Sequence, residues 1–440
     1  MVSSHKCNIQ TITFFSLLFF CNAIIASGFA IIDQSVSSMG SAYSGVSVQA
    51  EDATTIFFNP AGMAKLDGRS VSAGMHLIMP KVKFNSAATN GLGGNGGNAG
   101  KLAMVPDFYF VTRVSERVKF GFAINSPFGL GVEYDDDWEG RYHALKSNML
   151  TVNLNPAFSY AFNEQLSVAV GFNAQYVQLE LTNAIDFGSV CQHALSVVAC
   201  NAVGVVPQGA DGHFKGKGDD WGFGFNFGLL FEPVSGTRLG IAYRSKIEYS
   251  LKGDAEFFVP ASTAFLTSTG AFKNTGVQGD LTTPETLSIG LFQQLNQQWN
   301  VMADVTWTRW ERFKQLAMHF DNPQQPDEVQ AEEWKNTFRY SLGVNYKPVD
   351  NWLLRLGIAY DEAPITSADL RTPRIPDANR YWFSIGAGYK LSTALSVDIA
   401  YIHLFIQDSE MNASTSSGHV LKGSYKEDDN TVGAQLNWKF

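Results

Sequence analysis

The sequence predicts an all-β fold, a transmembrane antiparallel β-barrel of about fourteen strands with an N-terminal hatch inside its lumen. Three observations predict it. Segments of about ten residues recur in which large apolar side chains alternate with small or polar ones. Short and long connections alternate between these segments, and the N-terminus has the layout of a secretory signal. The chain therefore divides into a signal peptide at 1–26, a hatch at 27–67 and a barrel at 68–440.

Near the N-terminus a basic residue, Lys6, precedes an apolar run at 12–25. Small residues follow at Ala26, Ser27 and Gly28. This order is typical of a secretory signal peptide, with cleavage after Ala26 or after Gly28. An uncleaved membrane anchor fits less well, because the apolar run is shorter than the roughly 20 residues that a spanning helix needs.

Residues 27–67 lack the alternation of the later segments and are rich in serine, alanine and glycine. Their moderate apolar content favours packing inside a barrel over a solvated tail. Within them, Asn59-Pro60-Ala61 predicts a fixed turn, because proline restricts its own φ and the backbone of the residue before it. The Asn59 amide can also satisfy nearby backbone groups, as in an ordinary Asn-Pro turn.

The clearest barrel segment is WGFGFNFGLLF at 221–231. Its large apolar residues share one parity and its glycines and asparagine share the other, so the two sets lie on opposite faces of a strand. The pattern recurs at 166–175, 337–346 and 381–390. One face fits lipid and the other a crowded lumen. A switch of apolar parity at Tyr176-Val177 further predicts a bulge, which would weaken the wall for a lateral exit.

The composition excludes other classes of protein. Charged residues are 17% of the chain and the mean hydropathy is −0.06, which does not fit a bundle of membrane helices. The net charge of −9 argues against a nucleic-acid partner. The mature chain keeps Cys191 and Cys200, which predict a loop disulfide in an exported protein. We find no metal motif and expect no cofactor.

The chain ends on an alternating strand whose last residue is Phe440. This is either a simple last strand or an aromatic signal that the barrel assembly machinery of the outer membrane reads. We favour the second interpretation.

Long stretches of the sequence resemble the long-chain fatty acid transporter (FadL-like) family of outer-membrane proteins, which includes aromatic-hydrocarbon transporters. The matching motifs cover nearly the whole mature chain and include SGFAI (27–31), MGSAYSG (39–45), EDATTIFFNPAGMAKL (51–66), NLNPAFSYAFNEQLSVAVGFNAQY (153–176) and IPDANRYWFSIG (375–386). The resemblance implies a fourteen-stranded barrel closed by a hatch, of which Asn59, Pro60 and Ala61 are the signature. Ligand would enter from outside and leave by a hatch rearrangement or a lateral opening.

The resemblance also implies a function, the passive uptake of long-chain fatty acids or similar hydrophobic molecules. The protein would be a monomer in the outer membrane of a Gram-negative cell, in contact with lipid and lipopolysaccharide. Transport of neutral aromatic hydrocarbons is the alternative, because Gln178 stands where some fatty-acid transporters carry an arginine. Two alternatives of another class are a lipolytic enzyme, for which we find no Ser/His/Asp set, and a general diffusion porin, which would lack a hatch. We expect no enzymatic activity.

The candidate ligand-binding residues are of two kinds. Lys335 is carried over from the family's W/F-K-x-x-x-R arrangement, in which the lysine lies near the ligand head group, and Arg339 and Arg244 are inward by parity. Alternatively, Lys335 forms a structural ion pair with an Asp or Glu in the lumen. The apolar candidates are Phe57, Phe58, Phe128 and Leu130. Alternatively, Phe57 and Phe58 anchor the hatch, and Phe128 and Leu130 pack within their own loop.

Overall fold

The structure is a computed structural model that describes residues 28–440. The predicted signal peptide at 1–26 lies outside the described residues, so its cleavage stays a prediction. Among residues 28–440, no helix has both the length and the apolar character needed to cross a membrane.

Fourteen antiparallel wall strands form a closed barrel, as the sequence predicts. The barrel closes because β1 pairs with β14 along its whole length, from Ser70 opposite Lys439 to Ser86 opposite Gly423. Several strands consist of two segments separated by an irregularity. The strands are β1 (Ser70–Ser86), β2 (Ala103–Arg113), β3 (Val118–Asn125 and Gly129–Glu133), β4 (Lys146–Ala161), β5 (Leu166–Asp186), β6 (Asp211–Val234), β7 (Thr237–Arg244 and Ile247–Phe258), β8 (Thr275–Thr283 and Thr286–Gln294), β9 (Trp299–Thr308 and Gln315–Phe320), β10 (Thr337–Tyr346), β11 (Trp352–Asp361), β12 (Arg380–Lys390), β13 (Leu395–Ile406 and Ser409–Ser414) and β14 (Val420–Lys439).

The strands extend further toward the long loops than the apolar alternation predicts. Strand β6 has 24 residues and begins at Asp211, and β14 has 20 residues and begins at Val420. The sequence pattern instead starts these strands near 220 and 430. The extensions pair normally, but they no longer face hydrocarbon, so their outward positions carry polar and charged residues that hide the strand period.

The irregularity in the wall lies elsewhere than the sequence predicts. The predicted bulge at Tyr176-Val177 is wrong, because β5 keeps one register there with both neighbours. Pairing between β4 and β5 is instead interrupted at Asn155 and Pro156, since proline has no N–H to donate. The Asn155 side chain compensates in part by donating from Nδ2 to the Phe172 carbonyl over 2.8 Å.

The described residues also form four short α-helices: α1 (Val36–Met39), α2 (Thr55–Phe58), α3 (Phe187–Ala194) and α4 (Val197–Ala202). Three 3-10 helices span Pro60–Lys65, Ala261–Thr269 and Trp310–Arg312, and a short strand at Glu328–Ala331 pairs with the second segment of β9. Helices α3 and α4 lie in the long connection between β5 and β6. A disulfide between Cys191 and Cys200 joins them.

The hatch lies inside the barrel, against the inward faces of many strands. Wall glycines make room for it. A Cβ added to Gly228 would lie 2.0 Å from Asn59 Oδ1, and one added to Gly357 would lie 2.1 Å from the carbonyl carbon of Ser41. Inward glycines such as Gly228 and Gly357 therefore admit the hatch at close range.

The end of the chain completes the wall beside the start of β1. The Phe440 N–H donates to the Arg69 carbonyl over 2.9 Å, and the Arg69 N–H donates to the Phe440 carbonyl over 3.0 Å. Recognition of Phe440 by the assembly machinery stays a prediction.

Candidate ligand-binding cavity

A cavity of about 140 Å³ lies between the hatch and the barrel wall. The hatch contributes mostly apolar side chains: Ala30, Ile31, Ile32, Val46, Phe57 and Phe58. The wall and loops contribute further rings and three charged groups, which include Phe128, Tyr243, Arg244, Arg339, Asp361 and Trp382. The cavity thus offers apolar surface with a few fixed charges.

Arg244 ends the first segment of β7 and reaches from the wall to the hatch. Its Nη1 donates to Asn173 Oδ1 over 2.6 Å, and its Nη2 donates to the Phe57 carbonyl over 2.8 Å. The guanidinium also lies 4.3 Å from the centre of the Phe57 ring, in a cation-π contact. Among residues 28–440, no carboxylate lies within ion-pair distance of Arg244.

Arg339 lies on β10, at the inward position that the alternation predicts. Its Nη1 donates to the Ala42 carbonyl over 3.1 Å, and its Nη2 donates to the Tyr43 carbonyl over 3.4 Å. Ala42 and Tyr43 both have left-handed backbones, with φ of 52° and 54°. Such conformations cost about 1–3 kcal/mol each, so the arginine helps to hold a strained turn of the hatch. In the described part of the chain, Arg339 has no ion-pair partner either.

Asp361 is the one carboxylate among the named charged groups of the cavity. It lies 3.9 Å from Arg380, which is itself fully buried and also paired with Asp377. Asp377 accepts a hydrogen bond from the Gly28 N–H over 2.7 Å. Arg380 is thus shared by two carboxylates, and Asp361 and Asp304 also attract the Arg339 guanidinium from beyond ion-pair distance. Arg244 is the cavity charge that has no carboxylate near it among the described residues.

An aromatic cluster of Phe29, Trp310, Phe313 and Trp334 adjoins the cavity, and Trp310 belongs to both. Its ring centres are 4.8–5.7 Å apart, in tilted and edge-on arrangements. Trp334 Nε1 donates to Glu332 Oε2 over 2.9 Å. Burial raises the pKa of Glu332 to about 8, so near neutral pH this carboxyl is mostly protonated and adds little negative charge.

Asn59 fixes the far end of the hatch to the wall. Its Nδ2 donates to the Ser47 carbonyl over 2.5 Å and to the Leu229 carbonyl over 3.0 Å, while its Oδ1 accepts from the Ala61 N–H over 3.1 Å. Pro60 follows as the first residue of a 3-10 helix, where no N–H is needed. One buried amide thus joins two hatch segments to a strand.

Comparison with known proteins identifies the family to which this architecture belongs. Residues 17–440 match the family described as outer membrane protein transport protein (OMPP1/FadL/TodX). The chain belongs to this family. It is accordingly an outer-membrane β-barrel transporter of the FadL type, from a family whose members transport hydrophobic substrates.

Two relatives illustrate the range of the family. A long-chain fatty acid transport protein of Escherichia coli O6:H1 is 31% identical over 392 residues, which cover 86% of this chain and 87% of that protein. A putative outer membrane protein of Neisseria meningitidis is 30% identical over 459 residues, with 98% of both chains covered.

Solved structures share the fold. A FadL homologue from Pseudomonas aeruginosa superposes with a TM-score of 0.85 and 25% identity, covering 94% of this chain and all of that one. The toluene transporter TbuX of Ralstonia pickettii has a TM-score of 0.67 at 19% identity, covering 94% of this chain and 99% of that one, and shows the fold alone.

Five of the predicted ligand residues of this FadL-like chain line the cavity, namely Phe57, Phe58, Phe128, Arg244 and Arg339. Leu130 does not line it, and is buried in a larger apolar cluster that includes Phe128. Gln178, which stands where some fatty-acid transporters carry an arginine, has the parity of the lipid-facing side of β5 and donates to the Tyr176 hydroxyl over 3.3 Å.

The structure places Lys335 outside the cavity, with its side chain exposed. The prediction that it shares the inward parity of Arg339 is wrong, because β10 begins only at Thr337. The preceding residues follow a turn in which Glu333 has a φ of 46°, and Trp334 takes the buried position instead. Parity cannot be extended beyond the end of a strand.

We therefore expect Lys335→Ala to retain the ligand that co-purifies with the protein. The side chain is exposed and does not line the cavity, so its removal leaves the apolar surface and both arginines in place. Mass spectrometry of ligand extracted from the purified variant measures the occupancy. Wild-type occupancy supports this placement, whereas a large loss would restore Lys335 as a head-group ligand.

Proposed function

We propose that this protein mediates the passive uptake of long-chain fatty acids or closely similar amphiphiles across the outer membrane. The observation that carries the proposal is the pairing of Arg244 and Arg339 with an otherwise mainly apolar cavity. Neither guanidinium has a carboxylate within ion-pair distance among the described residues. A ligand carboxylate would supply such an ion-pair partner, and guanidinium groups bind carboxylates with charge-assisted hydrogen bonds.

The apolar lining would contact the hydrocarbon chain of such a ligand. Burial contributes roughly 0.8 kcal/mol per methylene, so a long chain gains on the order of 10 kcal/mol in full contact. Phe57, Phe58 and Phe128 offer this surface on the hatch and the adjoining loop. A moving hatch prevents the bound molecule from being trapped. The proposal involves no chemical step, in agreement with relatives that are named as transport proteins.

Uptake of neutral aromatic hydrocarbons is the second candidate. One observation favours it, since both arginines already donate to hatch carbonyls and Arg244 lies against the Phe57 ring. Their hydrogen bonds are therefore satisfied in part without an anionic ligand.

A comparison of oleate with oleyl alcohol separates the two candidates, because the chains match and only oleate carries the charge. We expect the wild-type protein to bind oleate more tightly. Arg244→Gln and Arg339→Gln should each weaken oleate binding by about tenfold, which corresponds to loss of one charge-assisted contact of about 1.5 kcal/mol. Binding of oleyl alcohol should change little. Titrations monitored by tryptophan fluorescence measure both affinities.

Arg238→Gln is the matched control. Arg238 also donates to a hatch carbonyl, that of Val48 over 3.1 Å, and its guanidinium lies 4.0 Å from the centre of the Phe292 ring. It does not line the cavity, so its substitution should leave oleate binding unchanged. Equal losses for oleate and oleyl alcohol in the cavity variants would contradict carboxylate recognition and favour a carrier of neutral molecules.

A further inference from the structure

The outward face of β1 and β14 carries four lysines toward the long-loop end of the barrel. They are Lys81 and Lys83 on β1 and Lys422 and Lys426 on β14, and all four are exposed. The two strands are direct neighbours in the wall. Since long loops lie on the extracellular side of such barrels, this group faces the outer leaflet. We name it the lysine patch.

The register places the lysine patch at the height of lipid headgroups. On β1 the outward row below it runs through Met75, Leu77 and Met79, and on β14 it runs through Val432 and Leu436. These apolar rows face hydrocarbon. On β1 Lys81 directly follows Met79 in the outward row, and on β14 Asn430 and Asp428 lie between Val432 and Lys426. Strand β13 adds Phe405 opposite Asp428, so an aromatic side chain flanks the same boundary. The lysine patch therefore lies at the boundary between hydrocarbon and headgroups.

Two lysines of the patch lie against each other instead of against carboxylates. Lys83 is directly opposite Lys426 in the pairing of β1 with β14. Like charges in directly opposite positions destabilise a sheet. Of the four, Lys81 alone has an ion-pair partner within the described chain, Asp428 at 3.5 Å. Among the described residues, Lys83, Lys422 and Lys426 have no carboxylate within ion-pair distance.

Lysines at corresponding outward positions elsewhere are matched. Lys146 on β4 lies 2.9 Å from Glu180 on β5. Lys217 on β6 is opposite both Glu180 and Asp254 in the register, and Lys252 on β7 is opposite Asp219. Opposite charges across strands are thus the pattern of the other sector, and the pair of Lys83 and Lys426 departs from it.

We propose that the lysine patch binds the phosphate groups of lipopolysaccharide in the outer leaflet. Phosphate is the anionic group that this lipid presents just above its acyl chains. Two lysines directly opposite each other on adjacent strands can contact one phosphate, whose negative charge then offsets their mutual repulsion. The adjacent Met79 and Val432 rows would contact the acyl chains of the same molecule. The site is independent of the cavity and of its ligand.

The test uses the full mature protein in detergent and lipid A that carries two phosphates, with binding followed by native mass spectrometry. Each lysine near an anionic lipid surface contributes a factor of about five to binding. We therefore expect Lys83→Gln/Lys426→Gln to bind lipid A about 25-fold more weakly than wild type. The dephosphorylated form of the same lipid should bind wild type and the variant equally.

The matched control is Lys217→Gln/Lys252→Gln, which removes two outward lysines that have carboxylates opposite them. Its lipid A affinity should remain within about twofold of wild type. Without lipid A, the patch variant should melt at or above the wild-type temperature, because a like-charge pair has been removed. If the double variant fails to fold, Lys83→Gln and Lys426→Gln are tested singly, and each should lower the affinity for lipid A about fivefold. Equal losses in patch and control variants, or tight binding of dephosphorylated lipid A, would overturn the proposal.

Discussion

Gly357→Ala is expected to open the barrel to ions. Gly357 lies on the inward face of β11, and a Cβ there would approach the carbonyl carbon and oxygen of Ser41 to 2.1 and 2.2 Å. These are backbone atoms of the hatch, which cannot turn aside as a long side chain can. Overpacking of this kind costs about 1–3 kcal/mol, which raises the ratio of displaced to seated hatch by about 5-fold to 150-fold. Single-channel recordings in planar bilayers measure the resulting conductance.

Gly218→Ala is the control for this variant. Gly218 has the same inward parity on β6, but the nearest atom to an added Cβ is the Lys252 carbonyl oxygen at 3.3 Å, and no hatch atom is near. We expect wild-type conductance. If both variants stay as closed as wild type, the hatch does not depend on the close approach at Gly357.

The period of the barrel strands could be predicted because lipid imposes it. Trp221, Phe223 and Phe225 are exposed on the outward face, as their parity requires, while Asn226 is buried on the other. Above the membrane this constraint ends. The first ten residues of β6 therefore escaped prediction, although they pair as regularly as the rest.

The cavity was predictable where it is built on strands and not where it is built on loops. Parity places Arg339 correctly on the inward face because this residue lies within β10. It places Lys335 wrongly because this residue lies two positions before that strand begins. Trp310 and Trp334 were missed for the same reason, since irregular segments have no period that assigns a face. The WTRW run at 307–310 was the available signal, because four residues with two tryptophans are unusual at the end of a strand.

Contacts between the hatch and the wall could not be derived from periodicity at all. The sequence assigns Arg355 to the inward face of β11, but it does not say which carboxylates meet it there. In the structure its Nη1 contacts Asp398 Oδ1 on β13 over 2.6 Å, and its Nη2 contacts Glu51 Oε2 of the hatch over 3.0 Å. Such pairs join residues 43 and 304 positions apart in the chain, so the tertiary fold alone determines them.

Arg355→Met is accordingly expected to lower the free energy of unfolding by about 3–5 kcal/mol, because it leaves a buried charge without its partner. Asp398 is only 4% exposed, and its other oxygen accepts from Asn437 Nδ2 over 2.7 Å, which is too little to balance a full charge. Urea titration of the protein in detergent, followed by tryptophan fluorescence, measures the change. Arg355→Met/Asp398→Asn removes the buried ion pair and should regain most of the loss, since the Glu51 carboxylate that remains is partly exposed to water. Equal destabilisation by the single and the double variant would mean that packing of the arginine side chain, and not its charge, holds this part of the hatch against the wall.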